Sequence, residues 1–186
     1  MAAEAGEPQA VPAEPNEFGP AWSPDGARLA VGRRYFDHTS EHPIRLRVLD
    51  LQNGRASVIP GSEGLLSPGW SPDGRWLAAV SIDFTRLALY EFATGRWRDL
   101  ISGSDVVNYP SWTHDSAWVQ LRKGSSIVRV RVADGCLEPV AGFERVPLIR
   151  TVGSWTWIGI APDDSPLAIR ETTGAAEVYA LDVEWP

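Results

Sequence analysis

The chain has 186 residues, which is enough for one domain with a sizeable core and too few for a nucleotide-binding domain joined to a substrate domain. Its 17 Lys and Arg against 24 Asp and Glu give a net charge of −7, which disfavours nucleic acid and anionic membrane surfaces as partners. No apolar run reaches about 18 residues, and the start lacks both a basic stretch and an apolar core, so neither a transmembrane helix nor a signal peptide is expected.

Glycine and proline divide the chain into short segments. The 17 Gly and 15 Pro interrupt almost every apolar stretch, so many short strands are expected rather than long helices. The first predicted strand, residues 6–12, has the same pattern as residues 54–60. The single cysteine, Cys136, excludes an internal disulfide bond.

One motif recurs along the chain. Trp-Ser-Pro-Asp-Gly occurs at residues 22–26 and 70–74, and Trp-Thr-His-Asp-Ser at 112–116 is an altered third copy. A weaker fourth copy is anchored on Trp157 and continues into Ala-Pro-Asp-Asp-Ser at 161–165. The spacing from Trp to Trp is 48, 42 and 45 residues, which is typical of a four-stranded propeller blade.

Each copy predicts the same four strands. A strand that holds the Trp leads into a tight turn, in which Pro fixes φ, Asp bonds the backbone two residues on, and Gly takes a positive φ. An apolar strand, an alternating strand and a closing strand complete the unit. We predict one domain over residues 1–186, with strand 6–12 followed by blades at about 20–61, 68–103, 109–142 and 155–183.

The two ends of the chain fit this pattern. The fourth copy stops after its third strand, and residues 6–12 form an isolated fourth strand, which gives about 16 strands. The sequence therefore predicts an all-β fold, a β-propeller of about four four-stranded blades. It is either a closed small ring, in which residues 6–12 complete the last blade, or part of a six- to seven-bladed propeller.

The repeat resembles a known family. Trp-Ser-Pro-Asp-Gly-x-x-Leu-Ala, at residues 22–30 and 70–78, is similar to the TolB-type propeller repeat, and the resemblance covers roughly residues 6–183. The closing pattern at 161–182 resembles the last blade of propellers that end bacterial winged-helix regulators and serine/threonine kinases. The resemblance implies a sensing or protein-interaction domain, a periplasmic or extracytoplasmic location, and the C-terminal part of a larger protein.

The residues point away from catalysis. Ser67 lacks the Gly-x-Ser-x-Gly spacing of a nucleophile elbow. His38 and His42 precede Pro43 in a predicted loop, where a polar loop is favoured over a metal site. One Asp per turn does not converge on calcium and is expected to cap its own turn. We therefore predict no catalytic residue, no metal site, no cofactor and no enzymatic activity.

Six of the nine tryptophans recur at repeat positions and are expected to pack between sheets rather than to bind sugars. They are Trp22, Trp70, Trp112, Trp157, Trp76 and Trp118.

A long insertion in the first copy is the main departure from the repeat. It runs over residues 33–43 and begins Arg33-Arg34-Tyr35, whereas the second copy needs only a short turn at 82–85. Insertions in repeat proteins map to loops that often lie on a binding face, and Arg and Tyr favour interfaces. Arg33, Arg34 and Tyr35 are therefore candidates for contact with a protein partner, and a solvated loop is the alternative.

Two functions are consistent with the sequence. The first is a non-catalytic propeller scaffold for protein–protein interaction or sensing. The alternative is a propeller that binds, and in one variant hydrolyses, a saccharide or another small molecule. Fold alone does not decide between them.

Overall fold

The computed structural model describes residues 11, 13–33, 43–103, 107–142, 158–172 and 175–180, and these residues form only strands, turns and loops. Fifteen strands lie in this part of the chain. In chain order they are β1 Glu17–Trp22, β2 Arg28–Arg33, β3 Arg47–Asp50, β4 Ala56–Val58, β5 Leu65–Trp70, β6 Trp76–Ser81, β7 Arg86–Glu91, β8 Arg96–Ser102, β9 Val107–Trp112, β10 Trp118–Lys123, β11 Ser126–Arg131, β12 Leu137–Gly142, β13 Ile158–Ile160, β14 Pro166–Thr172 and β15 Ala175–Ala180.

The strands form four antiparallel sheets in chain order. Three sheets have four strands, β1 to β4, β5 to β8 and β9 to β12, and the last has the three strands β13 to β15. Strands β1, β5, β9 and β13 lie beside one another and join successive sheets, while β4, β8 and β12 form the far edges. This is the predicted arrangement of propeller blades. The predicted strand at residues 6–12 falls outside the described residues apart from Val11.

The repeated turn is built as its residues predict. In the first three blades the Asp Oδ1 accepts the backbone N–H two residues on, at 2.9–3.0 Å, and the Ser or Thr hydroxyl donates to the same carboxylate. The fourth residue of the turn has a positive φ in all four blades, from 59° at Ser116 to 74° at Gly74. Capping of the turn by its own Asp is therefore confirmed.

The fourth copy has a different anchor from the predicted one. Strand β13 ends at Ile160, and the Ala161 N–H closes the turn on the Ser165 carbonyl at 2.8 Å. Ile160 therefore holds the position of Trp22, Trp70 and Trp112, and the anchor predicted at Trp157 is wrong. The motif is hard to place in this blade because its turn is one residue shorter and begins with Ala rather than Ser or Thr.

A proline marks a bulge in the first strand of three blades. The pairing register shifts between Phe18 and Ala21, between Leu66 and Gly69, and at the same place in β9. Pro20, Pro68 and Pro110 lie in these bulges, where a missing N–H costs no ladder hydrogen bond. The repeat therefore begins two residues before each Trp, earlier than the Trp-Ser-Pro-Asp-Gly motif alone indicates.

The core lies between the blades. One cluster joins the facing sheets of blades one and two, with Ala30, Leu46 and Leu77 among its buried members. A second cluster joins blades two and three, around Val80 and Leu121. Burial of these side chains between sheets is the main apolar contribution to stability.

The equivalent tryptophans differ in burial. Trp70 and Trp112 are each 7% exposed, and the Trp112 Nε1–H donates to the Gly69 carbonyl of the preceding blade at 2.9 Å. Trp22, in contrast, is 60% exposed. The prediction of a packed Trp is confirmed for Trp70 and Trp112 and is wrong for Trp22, because each Trp packs against the blade before it and blade one has no described blade on that side.

The turns of successive blades also touch. The Ser116 hydroxyl accepts the Asp73 N–H at 3.0 Å. His114, predicted as a turn variant, donates its backbone N–H to Asp164 Oδ1 at 3.0 Å, and its Nδ1 lies 2.6 Å from the same oxygen. The blades are thus linked through their turns as well as through their apolar faces.

Candidate functional site

Arg33 ends β2 and lies inside an ion network instead of at an exposed surface. Its side chain is 8% exposed, and its guanidinium lies 3.3 Å from Glu14. Arg47, on the neighbouring strand β3, contacts Glu14 at 3.0 Å and Glu17 at 2.6 Å. Arg33 thus fastens the segment before β1 to the first blade, and its part in partner contact stays a prediction.

The other two predicted contact residues, Arg34 and Tyr35, lie outside the described residues, as do His38 and His42. Their part in partner binding stays a prediction. The ion network around Glu14 holds the chain at both ends of this insertion, since Arg33 is its first residue and Arg47 follows its last residue closely.

A groove runs between the outer parts of blades one and two, and we call it the interblade groove. One wall comes from β3, β4 and the residues that follow, and the other comes from β7 and the turn after it. It is lined by Arg28, Val48, Asp50, Asn53, Arg55, Ala56, Ser57, Val58, Ile59, Pro60, Tyr90 and Phe92.

Aromatic rings pack in the wall of blade two. Phe92 stacks on Trp70 with ring centroids 4.7 Å apart and planes 6° from parallel. Tyr90 meets Phe92 edge to face at 5.2 Å and Trp97 at 5.1 Å. Such contacts add rigidity beyond simple burial.

This aromatic wall is specific to blade two. The pairing registers show which residues are equivalent. Tyr90 pairs with Leu77, Leu49 pairs with Leu29, and Val130 pairs with Val119, so Tyr90, Leu49 and Val130 hold the same position in their blades. Phe92 in the same way corresponds to Leu51 and Val132, and Trp97 corresponds to Ala56 and Leu137. Three aliphatic positions of blades one and three are thus aromatic in blade two.

The cation of the groove is specific to blade one. In each of the first three blades, one carbonyl accepts the N–H of the first turn residue, and it belongs to Arg28, Trp76 or Trp118. Arg28 therefore occupies the position that a Trp holds in blades two and three. Its guanidinium lies 5.0 Å from the Trp70 ring centroid and 5.7 Å from that of Phe92, within the range of cation–π attraction.

One end of the groove is closed by a contact between the blades. The Trp97 indole N–H donates to the Pro60 carbonyl at 2.8 Å, and a Cβ at Gly61 would lie 3.2 Å from the same ring. Strand β4 forms the outer edge of blade one, and all three of its residues are exposed. None of the described strands pairs with its outer side, so the outward backbone groups of β4 are open to an added strand beside an aromatic wall.

The Asp side chains of the repeated turns stabilise the fold by accepting hydrogen bonds within their own turns. The Ser23 hydroxyl and the Ala27 N–H lower the pKa of Asp25, and the Thr113 hydroxyl and the Ala117 N–H lower the pKa of Asp115 in the same way. The described residues contain no group of three or more His, Cys, Asp or Glu that could hold a metal ion. They also contain no helix long and apolar enough to cross a membrane.

Sequence reasoning missed the interblade groove. The available signal was Tyr90, Phe92 and Trp97, which break the aliphatic pattern of the repeat, together with Arg28 at a Trp position. Motif searches look for similarity between copies, whereas this site consists of the differences.

Comparisons with known proteins bear on the fold. No protein-family model and no curated protein matches the sequence. Among solved structures, TolB from Acinetobacter baumannii is similar with a TM-score of 0.62 at 19% identity, over 87% of this chain and 40% of that one. These values confirm the predicted β-propeller.

Two oligogalacturonate lyases are also similar in structure. One, solved in complex with manganese, has a TM-score of 0.57 at 14% identity, over 87% of this chain and 61% of that one. The other, from Vibrio parahaemolyticus, has a TM-score of 0.62 at 12% identity, over 85% of this chain and 46% of that one. The chain thus spans 40% to 61% of the length of these three structures, and the likeness concerns the fold.

Proposed function

We propose that the chain is a non-catalytic β-propeller scaffold that binds an extended segment of a protein partner in the interblade groove. The observation that carries this proposal is the aromatic wall of blade two, which stands where blades one and three, the other blades described at these positions, have aliphatic residues. Packing of the repeat does not require these rings, because blades one and three pack without them.

The edge strand supports a peptide as the ligand. Extended segments bind to sheet edges through main-chain hydrogen bonds, and neighbouring apolar pockets take alternate side chains. Strand β4 offers such an edge beside the groove. The Ile59 N–H donates to the Leu46 carbonyl of the neighbouring chain segment, so Val58, the residue before it, directs its own N–H away from β3 towards an added strand. The rigid contacts at Trp97 and Pro60 hold the two walls in place before binding.

A saccharide fits the same groove less well. Sugar rings stack on open aromatic faces, but Tyr90 is almost fully buried and Phe92 is stacked on Trp70. The likeness to the lyases therefore adds little to the alternative function. The structural similarity to TolB supports protein interaction, and with it an extracytoplasmic location and a link to larger sensory proteins as parts of the same proposal.

Selection of peptides from a random library tests this proposal. The immobilised chain is used to select displayed peptides, and their affinity is then measured for wild type and for Val58→Pro. The variant loses the outward N–H of β4, and blade three already carries Pro139 at the equivalent position, so the fold should tolerate the change. We expect binding about tenfold weaker to the variant, the loss that corresponds to about one main-chain hydrogen bond.

Leu137→Pro is the matched control, because the Leu137 N–H also points away from the neighbouring strand, on the outermost strand of blade three. The control should bind the peptides like wild type. Failure to select any peptide, or equal binding by wild type and Val58→Pro, would overturn the proposed site.

A further inference from the structure

We infer that the partner segment in the interblade groove is acidic; this inference rests on the proposed function and names the chemistry of its ligand. The groove carries two cations, Arg28 and Arg55, and one carboxylate, Asp50. The balance of charge that a ligand would meet depends on which of these groups already have partners.

The Asp50 carboxylate is used within its own turn. Its Oδ1 accepts the backbone N–H groups of Gln52 and Asn53 at 2.9 and 3.1 Å, and its Oδ2 accepts the Asn53 side-chain amide at 3.0 Å. Both oxygens are therefore engaged, and the carboxylate has little capacity left to attract a basic ligand.

Arg28 keeps most of its charge available. Among the described residues its ion-pair partner is Asp25 at 3.9 Å, the outer limit of an ion pair, and Asp25 already accepts hydrogen bonds from Ser23 and Ala27. The guanidinium instead lies over the rings of Trp70 and Phe92, which fix its position at the groove. A planar guanidinium held in this way can bind a carboxylate through two parallel hydrogen bonds, in the bidentate geometry.

Arg55 extends the positive charge along β4. It lies exposed immediately before the strand and lines the same groove. The groove is thus a positive region on a chain whose net charge is −7. An extended peptide that pairs with β4 would turn every second side chain towards the groove, where an apolar one would meet the aromatic wall and an acidic one would meet Arg28 and Arg55.

The composition of the selected peptides is the first readout. We expect enrichment in Asp and Glu two residues from an apolar position, and binding that weakens at least fivefold between about 0.05 M and about 0.5 M NaCl as charges are screened. Selected peptides that are neutral or basic, or that bind independently of salt, would overturn the inference.

Arg55→Gln is the second readout, measured with the selected peptide and with a copy in which Asn and Gln replace Asp and Glu. The affinity of Arg55→Gln for the acidic peptide should be about fivefold lower than that of wild type, and its affinity for the neutral copy should change little. Arg96→Gln, at the equivalent exposed position of blade two, should leave both unchanged.

The two proposals fail in different ways. If Val58→Pro weakens binding and Arg55→Gln does not, the groove binds a peptide and the inference about acidity is wrong. If neither variant weakens binding, the groove itself is not the site.

Discussion

Asp115 shows how a single side chain holds a blade turn. Its carboxylate accepts the Thr113 hydroxyl at 2.6 Å and the Ala117 N–H at 2.9 Å. These bonds favour the ionised form and lower the pKa of Asp115, and the equivalent bonds lower the pKa of Asp25. The hydroxyl and N–H of Ser165 lower the pKa of Asp163. Fold stability should therefore depend on pH.

Stability should fall as the solution is acidified from about pH 5 to about pH 2. Each of these carboxyl groups has a lower pKa in the folded chain than in the unfolded chain. Its contribution is fully present above the unfolded pKa and is lost as pH falls through the folded pKa. We expect Asp115→Asn to lower Tm at pH 7 and to differ less from wild type near pH 2; a difference independent of pH would contradict this role of the carboxylate.

Two equivalent glycines separate backbone strain from steric contact. Gly54 and Gly135 have φ of +68° and +72°, but a Cβ would meet nothing within 4 Å at Gly54 and would lie 2.9 Å from the Leu100 carbonyl at Gly135. Gly54→Ala should cost about 1 kcal/mol from strain alone. Gly135→Ala should lower the free energy of unfolding clearly more than Gly54→Ala, as measured by chemical denaturation. Equal losses for the two variants would show that the contact with the neighbouring blade does not affect stability.

At the scale of the strands, equivalent tryptophans differ in their contact with the preceding blade. Trp112→Phe removes the donor to the Gly69 carbonyl and part of a buried ring, so we expect a loss of about 1 to 3 kcal/mol in the free energy of unfolding. Trp22→Phe, at the same position of blade one, should change it by less than about 0.5 kcal/mol because Trp22 is largely exposed. Losses of similar size would contradict packing of each Trp against the preceding blade.

Local chemistry explains which elements the sequence could predict. The repeated turn is determined within four residues by its Asp and by a residue with positive φ. Capping of the turn by Asp25, Asp73 and Asp115 could therefore be predicted from the sequence. Burial of Trp70 as opposed to Trp22 depends on a neighbouring blade, which no local pattern reveals. The groove was missed for the same reason, since Arg28 and Phe92 meet only after two blades have packed.

For the molecule as a whole, closure of the ring remains a prediction from the repeat. Residues 6–12 match the outer strand at 54–60 and would complete the three-stranded last blade. Deletion of residues 1–12 should then lower Tm by several degrees, while deletion of residues 1–5 should have little effect. Equal Tm values for both deletions and wild type would exclude pairing of this strand.

Binding of a peptide along β4 in the interblade groove is tested most directly by amide hydrogen exchange with a selected peptide. We expect slower exchange in residues 56–60 and 90–92 on addition of the peptide, and unchanged exchange in β12. Protection confined to other blades, or no protection at a saturating concentration of a peptide that binds, would contradict binding at the groove.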